Sequence, residues 1–299
     1  MEIRTLRYFL ETAREENMTK AAQRLHVSQS TLSKQLKNLE EELGKRLFIR
    51  HSFSIELTEE GMLLRKRAED LVAMSDKITQ EFLSMDDIIG GNVYLGCAES
   101  YQIRHLAKVI RSFKQQYPDF HYHMTSGDTQ QVLERLDRGL LDLALIVERP
   151  DYAKYHVLKM PGYDRWGVVM SAHCDLAQKK EIAYEDLLGL PLFCSKQSWD
   201  ADIPRWCGDR REQLILEGSF RLSYNGSVFV KEGLGYLLTF EHLIDTSADS
   251  GLVFRPLFPQ LKNEMYLLWR RHQVFTPITK RFIAHLQSLF SSSFTVEKE

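Results

Sequence analysis

The chain has 299 residues, more than one ordinary hydrophobic core holds, so two or three compact units are expected. Apolar residues make up 43% and charged residues 27%, a composition typical of folded proteins. The formal net charge of −2 excludes a globally basic protein, so any nucleic-acid surface must be local. No apolar run approaches the roughly 18 residues that span a bilayer, and residues 1–16 do not resemble a signal peptide. A cytoplasmic protein without a membrane partner is expected.

Three short helices are predicted within residues 1–44. Apolar residues recur at helical spacing in the first and third of them: Leu6, Phe9, Leu10 and Ala13, then Leu32, Leu36, Leu39 and Leu43. Asn17 and Ser28 are suited to cap the second and third helices, and Gly44 is suited to end the third. The pattern predicts a helix-turn-helix.

The polar face of the third helix is the candidate DNA-reading surface. It carries short hydrogen-bonding side chains and lysines: Gln29, Ser30, Thr31, Ser33, Lys34 and Lys37. Such residues at the start of a recognition helix contact base edges and phosphates, although a solvated polar face has the same composition. The helix alone leaves both interpretations open.

A hairpin after this helix favours the DNA-binding interpretation. Residues 47–50 and 54–57 are β-prone runs on either side of residues 51–53, which predicts a wing that carries Arg50. Between Lys20 and Arg50 there are seven basic residues against three acidic ones. A nearly neutral chain therefore concentrates positive charge on this face.

The sequence LRYFLETAREENMTKAAQRLHVSQSTLSKQLKNLEEELGKRLFIR, followed by LTEEG, resembles the N-terminal signature of the LysR-type transcriptional regulators. The resemblance implies a winged helix-turn-helix on promoter operator DNA, a dimerising linker helix, a C-terminal effector domain, and pairing of homodimers into a homotetramer. The base-contacting positions of the family correspond to Gln29, Ser30, Ser33 and Lys34, and its wing arginine to Arg50. Ser30 stands where proline is usual, Lys34 where arginine is common, and residues 51–53 replace a more basic wing.

Residues 58–87 predict one long charged helix. Its inward positions alternate spacings of four and three: Leu64, Ala68, Leu71, Ser75, Ile78, Phe82 and Met85. One interpretation is an amphipathic helix packed on its own domain. We favour the other, a two-stranded antiparallel seam between two copies, because one recognition helix reads too few base pairs.

From residues 90–91 onward, predicted strands alternate with predicted helices, which indicates an α/β fold. Strands are expected at residues 93–97, 120–125, 141–147, 166–170, 192–194, 220–224, 235–238 and 265–269, and helices at 101–116, 129–138, near 227–231 and at 277–289. The resemblance implies a two-lobed, periplasmic-binding-protein-like architecture. The expected domains are therefore residues 1–58 for DNA binding, 59–89 for the linker, and 90–299 for the effector, with lobe I at about 90–163 and 267–299 and lobe II at about 164–266.

The predicted strand ends supply the candidate effector site, because ligands in such folds lie at strand C-termini and helix N-termini between lobes. These positions hold Ser100, Tyr101, Gln102, Ser126, Thr129, Val147, Cys194, Ser195, Asn225 and Ser227. Hydroxyl groups at helix N-termini favour a carboxylate or another small anion. Ser100 and Thr129 correspond to recurrent effector-contacting positions of the resembled family, and each could equally be a simple helix cap.

Other chemistry is less well supported. His121 and His123 share one face of a strand but lack a third metal ligand at suitable spacing. No GxGxxG, P-loop or nucleophile elbow occurs, so neither an enzyme nor a cofactor is predicted. Cys194 and Cys207 form no CxxC pair, which disfavours a redox switch. A transported-solute receptor fits the α/β region but not the helix-turn-helix before it.

Overall fold

The structure is a computed structural model that describes residues 1–51, 54–83, 85 and 90–290. The chain divides into two compact units, Met1–Met85 and Asp86–Glu299. None of the described helices is both long and apolar enough to cross a membrane.

The first unit is a helix-turn-helix followed by a hairpin and a long helix. Its elements are α1 (Ile3–Glu15), α2 (Met18–Arg24), α3 (Gln29–Leu43), β1 (Phe48–Arg50), β2 (Ile55–Leu57) and α4 (Glu59–Leu83). The predicted caps are confirmed: Asn17 Oδ1 accepts the Lys20 N–H at 3.0 Å and Ser28 Oγ accepts the Thr31 N–H at 3.1 Å. Gly44 ends α3 in the left-handed conformation at φ 65°. The predicted hairpin is the antiparallel pair β1–β2.

A single apolar core holds the first unit together. Phe9, Leu32 and Leu36 are fully buried within it, as the helical stripes predict. Leu43 departs from the predicted stripe because its side chain is 40% exposed. The helix ends at this residue, so the stripe ends one turn earlier than predicted, at Leu39.

The two halves of the predicted seam along α4 differ in burial. Ala68 is fully buried in the core of the first unit, and Leu64 packs against the same core, so this half follows the own-domain interpretation. Leu71, Ile78 and Phe82 are 43%, 46% and 67% exposed and continue the same helical face. The helix ends at Leu83, which leaves Met85 beyond it, and residues 84, 86 and 87 of the predicted helix lie outside the described residues.

The second unit alternates strands and helices. In chain order its elements are β3 (Gly91–Cys97), α5 (Ile103–Gln116), β4 (Phe120–Ser126), α6 (Thr129–Asp137), β5 (Leu143–Ile146), β6 (Tyr155–Lys159), β7 (Asp164–Ser171), β8 (Pro191–Cys194), α7 (Lys196–Ala201), α8 (Ile203–Cys207), β9 (Ile215–Ser219), α9 (Ser223–Lys231), β10 (Tyr236–Phe240), β11 (Leu252–Pro256), β12 (Lys262–Asn263), β13 (Tyr266–Arg270) and α10 (Pro277–Phe290).

Two sheets make two lobes. Lobe I, residues 90–159 and 266–290, contains the five-stranded sheet in the order β4-β3-β5-β13-β6. Lobe II, residues 164–263, contains the sheet in the order β11-β7-β10-β8-β9, with β12 paired to β7. The parallel strands β3 and β5 end at the same edge, since Cys97 pairs with Leu145. The chain crosses between the lobes at residues 160–163 and 264–265.

The predicted strand at residues 220–224 is wrong. The strand is β9, Ile215–Ser219, and helix α9 already begins at Ser223. Strand β9 lies at the edge of its sheet with side chains that alternate between exposed and half-buried, so it lacks the apolar run of a central strand. Strands β6, β11 and β12 were not predicted.

Gly61 permits the close approach of α4 to the hairpin. A Cβ at this position would lie 2.2 Å from the Leu47 carbonyl oxygen, a backbone atom that has little freedom to move. Alanine is favoured over glycine inside a helix by about 1 kcal/mol. We nevertheless expect Gly61→Ala to destabilise the first unit by about 1–3 kcal/mol, because overpacking outweighs helix propensity.

The test is thermal unfolding of the full chain followed by circular dichroism. Arg67→Ala, an exposed position on the same helix, is the matched control and should leave the melting temperature nearly unchanged. A Gly61→Ala protein that melts at or above the parent temperature would contradict the packing of α4 on Leu47.

Candidate functional sites

The exposed face of α3 is the first candidate site. Gln29, Lys34 and Lys37 are exposed, and the two lysines lie on the side opposite the buried leucines. The cap residue Ser28 also orders this end of the helix, because its Oγ lies 2.9 Å from Ser30 Oγ and 2.8 Å from Thr31 Oγ1. The predicted polar residues are therefore presented together from the first turns of one helix.

The hairpin brings Arg50 to this face. Its Nη1 donates to Ser33 Oγ at 3.3 Å, which joins the wing strand β1 to the recognition helix. The seven predicted DNA-contacting residues thus lie on two elements that contact each other, α3 and β1. Residues 52 and 53 of the predicted wing lie outside the described residues.

Three of the seven basic residues between Lys20 and Arg50 form ion pairs with nearby carboxylates. Arg24 approaches Glu15 at 3.0 Å, Lys37 approaches Glu41 at 3.4 Å, and Lys45 approaches Glu60 at 3.8 Å. The other four basic residues of the counted segment form no ion pair within the described part of the chain; they are Lys20, Lys34, Arg46 and Arg50. Lys34 and Arg50 are the two of these on the predicted DNA-contacting face.

The second candidate site is a cavity of about 400 Å³ between the two lobes. Its apolar wall includes Trp166 and Phe240, whose ring centroids lie 4.6 Å apart, and Leu243. The volume suits a small molecule of a few to a dozen heavy atoms. The cavity opens beside the ends of β3 and β5 in lobe I and the starts of α7 and α9 in lobe II.

Two of the predicted effector residues line this cavity directly. Val147 follows β5, and Ser195 caps α7 by accepting the Ser198 N–H at 3.1 Å. Thr129 is buried at the start of α6, next to the lining residues Asp128 and Gln130. The cavity and the strand-end prediction therefore coincide at Val147 and Ser195.

The other predicted residues lie elsewhere. Tyr101 and Gln102 line a smaller cavity of about 190 Å³ near the crossing segment, and Ser100 is buried beside it. Cys194 is fully buried in the lobe II core and Ser126 is exposed at the end of β4. Asn225 and Ser227 lie within α9 rather than at a strand end, because the strand predicted before them is misplaced.

Two side chains, Gln197 and Glu99, form hydrogen bonds across the cavity that were not predicted. Gln197 Oε1 of lobe II accepts the Thr129 N–H at 2.9 Å, at the first residue of α6. Glu99 Oε2 of lobe I accepts the Ser223 N–H at 2.9 Å, at the first residue of α9. Each of these two helix N-termini therefore has one of its free N–H groups occupied by a side chain of the opposite lobe.

Gln197 also connects to a half-buried carboxylate. Its Nε2 donates to Thr129 Oγ1 at 3.1 Å and to Glu148 Oε1. Burial raises the pKa of Glu148, and the hydrogen bond from Gln197 opposes this by stabilising the ionised form. Glu148, Gln197 and Thr129 thus form one polar chain across the lobes.

The two crossing segments have their own buried polar contacts. Asp164 accepts hydrogen bonds from Ser100 Oγ and, at 3.2 Å, from Gln102 Nε2, while burial raises its pKa. Asn263 Nδ2 donates to the Val147 carbonyl at 3.1 Å and to Asp202 Oδ1 at 2.8 Å. Ser100 and Gln102 therefore anchor the start of β7, next to the crossing segment, and do not line the 400 Å³ cavity.

The described part of the chain gives little support for a metal site or for a reactive cysteine. No group of three histidine, cysteine or acidic residues is placed to hold a metal ion there, and His123 Nε2 lies 2.8 Å from Asn92 Oδ1. Burial raises the pKa of Cys97 to about 12 and also raises those of Cys194 and Cys207. Such buried thiols remain protonated near neutral pH and are poor nucleophiles.

Comparison with known proteins identifies both units. The family model described as the LysR substrate binding domain matches residues 89–291, and the model described as the bacterial regulatory helix-turn-helix protein, lysR family, matches residues 3–62. The transcriptional regulator YusT of Bacillus subtilis is 32% identical over 301 residues, which covers 100% of this chain and 97% of that protein.

Two further similarities agree with these matches. The transcriptional activator IlvY of Haemophilus influenzae is 35% identical over 145 residues, so the match spans about half of either protein, 48% of this chain and 50% of IlvY. The crystal structure of full-length CbnR complexed with its target DNA has a TM-score of 0.73 at 20% identity, covering 96% of this chain and 99% of that one, which shows a shared fold. The chain belongs to the LysR family of transcriptional regulators, with an N-terminal helix-turn-helix and a C-terminal effector-binding domain.

Proposed function

We propose that the protein is a cytoplasmic regulator, not an enzyme, that binds promoter operator DNA as a homodimer and responds to a small effector in the cavity between its lobes. The observation that carries the proposal is the exposed surface of α3, where Gln29 and Lys34 lie within one turn of Ser33, the residue that Arg50 of the wing contacts. Residues 1–58 then form the DNA-binding domain, residues 59–89 the linker, and residues 90–299 the effector domain.

The DNA contacts divide by chemistry. Side chains near the start of α3 reach base edges in the major groove, and lysines and Arg50 neutralise phosphates or enter the adjacent minor groove. The proposed contacts are Gln29, Ser30, Thr31, Ser33, Lys34, Lys37 and Arg50. The similarity to CbnR, whose crystal structure is of a complex with its target DNA, supports this role for the helix-turn-helix.

The exposed apolar residues of α4 support a dimer. Leu71, Ile78 and Phe82 share one face of the helix and are at least 43% exposed in a single chain. An apolar stripe of this length is unfavourable in water and is covered when two such helices pair. Two paired chains present two recognition helices to one operator, and the family resemblance extends the assembly to a homotetramer.

The effector proposal follows from the cavity between the lobes. A carboxylate of the effector would replace Gln197 at the Thr129 N–H, or would bind Arg221, whose side chain is 73% exposed at the cavity. Binding that favours one arrangement of the lobes over another changes their populations, and this difference is the only means by which the effector can act.

Lys34→Ala and Gln29→Ala test the recognition helix. Each should weaken binding to the upstream region of the protein's own gene by about 1–3 kcal/mol, because a direct contact is removed. Neither residue belongs to the buried core, so the melting temperature should stay at the parent value. The measurement is a gel-shift titration with operator and random DNA.

Lys180→Ala, an exposed lysine of the second unit, is the matched control for the loss of one positive charge. It should bind operator as the parent does. If Lys34→Ala and Gln29→Ala also bind both DNAs with parental affinity, α3 is not the recognition helix.

Leu71→Asp tests the dimer. A charge placed in the paired helix face would be buried without a partner, so sedimentation should show smaller species and operator affinity should fall. Gln80→Asp adds the same charge on the opposite face of α4 and is the matched control. An oligomer that resists Leu71→Asp at the same protein concentration would exclude this face as the interface.

A further inference from the structure

The charges that line the cavity between the lobes are not balanced. Lys196 lies 2.8 Å from Asp200, and Arg221 lies 4.0 Å from Asp128, so each cation of the cavity is paired with a carboxylate of the same cavity. Glu99 is the third lining carboxylate, and no basic residue in the described part of the chain forms an ion pair with it. Asp200 has a second cationic partner, Arg211, at 3.3 Å, so among the lining carboxylates only Glu99 has no ion-pair partner in the described part of the chain.

The position of this charge is fixed. Glu99 Oε2 accepts the Ser223 N–H at 2.9 Å at the start of α9, which is the positive end of that helix. Its other oxygen, Oε1, accepts no hydrogen bond from the described residues, although the side chain is half-buried. One oxygen anchors the group and the second keeps its capacity for a donor.

Part of the cavity wall is apolar. Trp166 and Phe240 pack edge to face, and Leu243 extends the same surface. The indole N–H of Trp166 donates to Asn263 Oδ1 at 3.2 Å, so this ring has no spare polar group for a ligand. A ligand that fits here presents a hydrocarbon group to the rings and a donor to Glu99.

We propose that the effector carries a protonated amine, which donates to Glu99 Oε1, and an apolar group that packs on Trp166 and Phe240; the class that fits is an α-amino acid with an apolar side chain. This inference rests on the proposed effector cleft and specifies its ligand. The carboxylate of such a zwitterion is the anionic group already expected, and Arg221 at the cavity receives it. A simple monoanion would leave Glu99 without a counter-charge and bring a second negative charge beside it.

The experiment compares paired probes on the full chain by calorimetric titration at neutral pH. The probes are leucine and phenylalanine against 4-methylpentanoate and 3-phenylpropanoate, which lack only the amine. We expect the amino acids to bind about tenfold or more tightly than their amine-free partners, the range for a hydrogen bond to a charged group. Amine-free acids that bind as tightly, or amino acids that do not bind, would overturn the proposal.

The variant Glu99→Gln removes the charge while its amide oxygen can still accept the Ser223 N–H. It should lower amino-acid affinity by about tenfold or more and leave the amine-free acids unchanged or improved. Asp200→Asn removes one charge from the same cavity, next to Lys196, and should reduce amino-acid binding much less. Equal losses in the two variants would contradict a specific role for Glu99.

Two measurements keep the outcomes separate. If Glu99→Gln does not fold, as judged by its melting curve, the probe comparison on the parent protein still decides the question. Operator binding by the ligand-free parent is measured by gel shift in the same buffer. If the parent binds operator but binds the amine-free acids more tightly than the amino acids, the proposal of an amine-bearing effector is wrong and the regulatory function stands. If the parent does not bind operator, the proposed regulatory function is wrong.

Discussion

The N-termini of α6 and α9 place the main constraint on the cavity between the lobes. The first N–H groups of a helix have no partner within it, and a partly buried one must find an acceptor elsewhere. In this chain Gln197 and Glu99 supply those acceptors to Thr129 and Ser223, each from the opposite lobe. The contacts that satisfy the helices are therefore also contacts between the two lobes.

The cavity offers a ligand two kinds of hydrogen-bonding partner, a donor and an acceptor. An acceptor group of the ligand can replace the amide oxygen of Gln197 at the Thr129 N–H. A donor group of the ligand can instead bind the second carboxylate oxygen of Glu99. The buried contacts of Asp164 and Asn263 at the crossing segments remain satisfied in either case. The proposed ligand would therefore be recognised at the wall of the cavity.

Local rules predicted local structure well. The caps at Asn17 and Ser28 depend on neighbours three residues away, and the α3 stripe depends on one helical period, so both are visible in sequence. Periodicity does not show which surface an apolar helix face will contact. The sequence therefore could not show that Ala68 packs in the core of its own unit. Glu99 and Gln197 were missed because their partners are 124 and 68 residues away, and no local pattern records such pairs.

Amide hydrogen exchange of the ligand-free full chain tests the central claim most directly. Thr129, Ser223 and Lys196 are each the first residue of a helix, and no hydrogen bond from the Lys196 N–H is present in the described part of the chain. The account predicts that the Thr129 and Ser223 amides exchange clearly more slowly than that of Lys196, because only they bond across the cavity. Exchange at Thr129 and Ser223 as fast as at Lys196 would show that the lobes do not make these contacts in solution.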